Sequence, residues 1–130
     1  MRMALVLHES AEMYLETIYR LHLRNGSVRA VDIAQEMGYS KPTISEWMGK
    51  LRAAGYVQPA HGSAIELTDE GTRAAEKIFD RHVTLTKIFE HIGVQPDVAQ
   101  ADACRVEHYI SDETFNCLRA YFAQSAKLEA

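Results

Sequence analysis

Residues 28–57, VRAVDIAQEMGYSKPTISEWMGKLRAAGYV, decide the fold. The run VRAVDIAQEMG reads as a short helix closed by Gly38, because a glycine just past the last periodic residue ends helices. The next run opens on Ser40, whose hydroxyl can cap a helix start, and carries Pro42 in the first turn, where a missing N–H is harmless. Ile44, Met48 and Leu51 follow at helical spacing until Gly55 stops the run. Two short helices across a tight turn make a helix-turn-helix. Beyond it, YVQPA (56–60) and AIELT (64–68) flank the turn HGS, which predicts a two-stranded wing.

The flanking segments are also helical in pattern. From His8 to Arg24, Met13, Leu15, Ile18, Tyr19, Leu21 and Leu23 fit one helix, ended by Asn25-Gly26. A long helix is predicted from Asp69 to Ile92, with Ala75, Ile78, Phe79, His82, Leu85, Phe89 and Ile92 on one stripe and Gly93 closing it. Two more follow, from Pro96 to Ile110 and from Ser111 to Ser125, the last capped by Ser111. The predicted fold is mainly α. A winged helix-turn-helix lobe occupies residues 1–70, and a helical lobe occupies residues 71–130.

Composition bounds the rest. A chain of 130 residues that is 47% hydrophobic can build a core without disulfides, and Cys104 and Cys117 are too few for a secreted disulfide framework. No basic start with a long apolar run marks a signal peptide or a membrane span, so a cytoplasmic protein with no membrane partner is expected. The formal net charge is −4, but its distribution is uneven. Residues 17–61 carry six basic against three acidic side chains; residues 62–130 carry seven against twelve. Only the first lobe suits a polyanion.

A recognition helix reads base edges with its N-terminal residues, while phosphates take basic and hydroxyl side chains. Here it opens with Ser40, Lys41, Pro42, Thr43 and Ser45, short polar groups with one cation. Arg29, Lys50, Arg52 and His61 are candidate phosphate contacts; Glu46 reads more simply as a solvated face residue.

The stretch ADACRVEHYI, residues 101–110, holds a second constellation. On one helix, Cys104, Glu107 and His108 at spacings of three and four share a face and can converge on an ion. A metal needs about four donors, so others must come from elsewhere. Met13 and Glu16 in EMYLE show similar spacing, and His82 lies on the long helix. Taken singly, Met13 reads as core, His82 as a structural histidine and Cys104 as a small buried hydrophobe. Together, a carboxylate and an imidazole beside a thiol are costly to bury without a cation. His8, His22 and His91 have no such company and are expected in solvent.

AEMYLETIY, DIAQEMGYSKPTISEWMGKL, LTDEG, Arg81-His82 and DACRVEHYISDET resemble, in order and spacing, the metal-dependent repressors of the diphtheria toxin repressor (DtxR/MntR) family, over nearly the whole chain. The resemblance implies a homodimeric, metal-activated transcription repressor acting on a palindromic double-stranded operator. It maps a primary site onto Met13, Cys104, Glu107 and His108, and a second around His82 with Glu16 near by. Within that resemblance, a chain ending at Ala130 lacks the SH3-like domain usual in the iron branch, and its length is more like the manganese branch. Met13 and Cys104, however, stand where the manganese branch has aspartate and glutamate. Thr86 and Gln100 stand where the second iron-type site has a glutamate and a histidine; a manganese-type version would combine Glu16, His82 and Glu107 with the position of Cys104.

Thioether and thiolate donors are soft, which favours Fe(II), Co(II), Ni(II) or Zn(II) over Mn(II). Availability and the family resemblance, rather than affinity order, then imply Fe(II) as the activating ion, with Mn(II) as the alternative and Co(II), Ni(II) or Zn(II) as ions that bind in vitro. Tyr109, Phe115, Leu118, Tyr121 and Phe122 are more apolar surface than a small lobe buries alone, and predict the dimer contact. Two other readings compete. One is a metal-independent winged-helix regulator sensing oxidation through Cys104 and Cys117. The other is an enzyme with Cys104 as nucleophile and His108 as base, for which no third group or oxyanion loop is evident.

Overall fold

A computed structural model describes residues 9–60 and 62–124. Among them are six α-helices: α1 (Glu9–Asn25), α2 (Ala30–Met37), α3 (Lys41–Ala53), α4 (Asp69–His91), α5 (Pro96–Val106) and α6 (Asp112–Gln124). The chain divides into two compact units after Glu76. None of the described helices is long and apolar enough to cross a membrane.

In the first unit, Leu15 and Ile18 of α1, Ile33 of α2 and Ile44, Met48 and Leu51 of α3 close one core with Val28 and Val57. Each helix boundary has a local cause. The Asp32 carboxylate accepts the Arg29 N–H (2.9 Å) and so starts α2. Gly38, at φ 75°, ends it in the left-handed conformation. Ser40 caps α3 as predicted, its hydroxyl accepting the Thr43 N–H (3.3 Å).

The wing departs from two regular strands. Among the described residues it forms only isolated antiparallel bridges, Val57 with Leu67 and Arg29 with Ala64. The segment AIELT changes partner midway: the Gln58 N–H donates to Glu66 (2.8 Å), whereas the Ile65 N–H donates to Val28 (2.8 Å). Drawing Ile65 into the core beside Val28 and Val57 is the physical reason, since one short segment cannot serve both neighbours as a continuous ladder.

LTDEG is an N-terminal helix signature. The Thr68 hydroxyl accepts the Gly71 N–H (3.0 Å) and donates to the Gly55 carbonyl (2.7 Å). Asp69 and Glu70 then lie in the first turn of α4, where the helix dipole favours negative charge.

The second unit is smaller. Leu85, Ala103 and Phe115 form its core, with Phe89, Val106, Ile110 and Leu118 packed against them. Three expectations need correction here. Helix α5 ends at Val106 rather than Ile110, so Glu107 and His108 occupy the turn that follows it. Ile92 is 63% exposed because α4 ends at His91, and Ile88 is buried in its place. Phe115 is core rather than contact surface, while Tyr109 (73%) and Tyr121 (70%) are exposed. His8 and Ser125, expected as helix ends, lie outside the described residues.

Candidate metal centre and DNA-reading face

The end of α5 is held by Arg81 of α4. The Arg81 guanidinium donates to the carbonyls of Glu107 (3.2 Å) and Ile110 (2.9 Å), pairs with Asp112, and lies 5.3 Å from the centre of the Phe115 ring. Helix C-termini leave carbonyls without intrahelical partners, and a buried cation there satisfies them and suits the dipole. Glu107 still has right-handed helical torsions, and its N–H donates to Ala103 (2.9 Å). The turn therefore keeps Glu107 and His108 near their helical positions.

That geometry brings three predicted donors together. The ligand atoms of Cys104, Glu107 and His108 all lie within 4.8 Å of one another. Glu107 is fully buried; one carboxylate oxygen accepts from His82 Nδ1 (2.8 Å) and the other is 3.7 Å from His108 Nε2. A buried carboxylate flanked by two imidazoles and a thiol is a donor set that a divalent cation fits, because the cation supplies the charge that burial denies. His82 engages Glu107 directly and so fixes the orientation of that carboxylate. Thr86 donates its hydroxyl to the His82 carbonyl (2.7 Å), a local helix bond.

Met13 and Glu16 lie on α1, in the other unit. Met13 is 37% exposed, off the buried stripe formed by Leu15, Ile18 and Leu21. It is therefore no ordinary core methionine. Glu16 is buried and pairs with Arg20 at 2.9 Å, one helical turn on. His22 and His91 are exposed, and His8 lies outside the described residues.

On the first unit, Lys41, Pro42 and Ser45 are exposed at the start of α3. The Ser40 hydroxyl serves the cap and also bonds the Thr43 hydroxyl (2.9 Å), so the two side chains are held together at the start of α3. Arg29, Lys41, Ser45, Arg52 and Ser63 line one groove between α3 and the wing. Arg52 Nε donates to the Gln58 carbonyl (3.1 Å), tying α3 to the base of the wing. The wing turns at Gly62, φ 68°; His61 beside it lies outside the described residues. Lys50 Nζ is 4.6 Å above the Trp47 ring.

Sequence reasoning missed Arg81 as an organising residue. Its carbonyl partners are 26 and 29 positions away, and only an unusual arginine within an apolar helical stripe hinted at them.

Comparison with known proteins covers both parts of the chain. Residues 6–65 match the family model for the iron dependent repressor N-terminal DNA-binding domain, and residues 68–127 match that for its metal-binding and dimerisation domain. The transcriptional regulator MntR of Salmonella typhimurium is 32% identical over 116 residues, 89% of this chain and 74% of that protein. The iron-dependent repressor IdeR of Mycobacterium tuberculosis is 30% identical over 108 residues, 82% of this chain and 47% of that protein, so the chain spans about half of it. A manganese-dependent transcriptional repressor solved in complex with manganese superposes with a TM-score of 0.76 at 31% identity, over 87% of this chain and 52% of that one. The chain thus belongs to the iron-dependent repressor (DtxR/MntR) family, whose members are metal-dependent, DNA-binding transcriptional repressors and not enzymes.

Proposed function

We propose that this protein is an iron(II)-responsive repressor, controlling metal homeostasis from the cytoplasm through a palindromic operator. The observation that sets iron above manganese is the thiol of Cys104 within the Glu107–His108 cluster, and the family resemblance with metal availability sets iron above the other soft ions. A thiolate, with the thioether of Met13, favours Fe(II), Co(II), Ni(II) or Zn(II) over the harder Mn(II). In this reading Met13, Cys104, Glu107 and His108 are the ligands, Glu16 and His82 are the adjoining donors, and a divalent cation supplies positive charge to the buried Glu107. Residues 1–70 carry DNA binding and residues 71–130 carry metal binding and dimerisation. In a twofold dimer the recognition helices must be about 34 Å apart to enter successive major grooves, so a small change between lobes decides whether both fit.

The names of the MntR relatives and of the manganese-complexed structure favour a second reading, manganese sensing. A direct test combines Met13→Asp with Cys104→Glu, replacing soft donors by hard oxygens. We expect Mn(II) to improve as an activator relative to Fe(II) by roughly tenfold in an anaerobic DNA-binding titration, an order of magnitude for exchanged donor type. A native protein that already responds to Mn(II) at lower free concentration than to Fe(II) would select the manganese reading. DNA binding indifferent to chelation would reject both.

DNA contacts are assigned to Arg29, Ser40, Lys41, Pro42, Thr43, Ser45, Lys50 and His61. Thr43→Ala is expected to change base preference, with a discrimination loss of about 1 kcal/mol at one position. Lys50→Ala should weaken all duplexes alike and flatten the salt dependence. Uniform weakening by Thr43→Ala, measured on a panel of single-base variants, would remove it from the reading set.

A further inference from the structure

Trp47, the single tryptophan of the chain, is the residue of α3 that meets α1 through a flat ring. The Tyr14 ring stacks on it with centroids 5.1 Å apart and planes 26° from parallel. Tyr39, in the turn between α2 and α3, meets the same Tyr14 ring at 6.3 Å. From the last turn of α3, Lys50 Nζ stands 4.6 Å over the Trp47 ring. Tyr14 is 2% exposed, and its hydroxyl is buried without a hydrogen-bond partner among the described residues. Among the described residues the ring contact is thus what this side chain offers to α3.

A stacked pair differs from the aliphatic contacts around it. Leu15 and Ile18 bury area, and burial is non-directional; ring pairs have preferred offsets and tilts, so their energy depends on the angle between the elements that carry them. Tyr14 is also adjacent in sequence to Met13. Successive helical residues are about 100° apart around the axis, so any rotation of α1 that moves the Met13 side chain sweeps the Tyr14 ring through the same angle. A rotation of about 20° displaces a ring roughly 6 Å from the axis by roughly 2 Å, enough to leave one stacking well.

We propose that Tyr14 and Trp47 are positioning residues for DNA recognition, the stack by which the pose of α1 sets the pose of the recognition helix and of Lys50 upon it. The proposal rests on the reading of Met13 as a metal donor. Through it, the metal state of α1 reaches the DNA-reading face inside the first unit, in addition to any change in spacing between the recognition helices of the dimer.

The test uses the full-length protein, Co(II) as the probe ion and a duplex selected from a random pool by the wild-type protein with Co(II). Co(II) occupancy is followed by absorption, Trp47 by its emission maximum, and duplex affinity is measured with and without metal. The wild-type emission maximum is expected to shift with occupancy. Tyr14→Phe keeps the ring and should retain that shift and the wild-type ratio of metal-bound to metal-free duplex affinity. Tyr14→Leu should bind Co(II) within twofold of wild type, yet lose the emission shift and about fivefold of the affinity ratio, equivalent to about 1 kcal/mol. Trp47→Leu, at a half-buried position, provides the affinity-ratio comparison, without the emission readout, should Tyr14→Leu not fold, with Trp47→Phe intermediate. A Tyr14→Leu or Trp47→Leu protein with the full ratio overturns the proposal, as does a Tyr14→Phe protein that loses as much as Tyr14→Leu. Met13→Ala addresses the underlying reading separately: unchanged Co(II) affinity there removes Met13 from the ligand set, whatever the ring variants show.

Discussion

Glu107→Gln is expected to lower metal affinity by at least about 100-fold and to abolish metal-dependent DNA binding, with little change in the melting of the metal-free protein. Replacing an outer partner of a metal ligand already costs 10- to 100-fold, so loss of a carboxylate ligand should exceed about 100-fold. Glutamine preserves the volume of a fully buried side chain and can still accept from His82 Nδ1 through its amide oxygen. It removes the negative charge that a divalent cation would neutralise among Cys104, Glu107 and His108. The fold should tolerate this, because charge is what burial penalises and a neutral amide with one bond made is the milder case. A Co(II) titration gives the affinity, and thermal melting without metal gives the stability. Affinity within tenfold of wild type would show that the ion binds elsewhere.

Gly71→Ala is expected to destabilise the first unit by about 3 kcal/mol, the upper end for inserting one carbon into a packed site, and to lower the melting temperature by roughly 10 °C. A Cβ built there would stand 2.0 Å from the Tyr56 carbonyl oxygen and 2.9 Å from its carbon. Those atoms are backbone, so no rotamer change relieves the overlap. The same oxygen accepts the Thr68 N–H (3.0 Å), which anchors the wing to the start of α4. Relief by moving Tyr56 therefore weakens the wing, and DNA affinity should fall with stability. An unchanged melting temperature would mean that α4 can start one residue later at no cost.

The local elements of this protein were determined by local chemistry, and so were legible in its sequence. Ser40, Pro42 and Gly38 delimit the helix-turn-helix through interactions spanning no more than four residues, and the structure places its helices at Ala30–Met37 and Lys41–Ala53. The convergence of Cys104, Glu107 and His108 was legible for the same reason, since helical spacing brings such neighbours together even though α5 itself stops at Val106. What only tertiary structure decided is carried by long-range partners. The wing became isolated bridges because Ile65 is claimed by the core beside Val28. Gly71 is required by a carbonyl 15 positions earlier in the chain. Arg81 acts on carbonyls at Glu107 and Ile110, and Tyr14 meets Trp47 across two helices. Hydrophobic periodicity reports which face of an element is buried, whereas the partner met on that face is fixed only when the chain closes on itself, and these four contacts are all of that second kind.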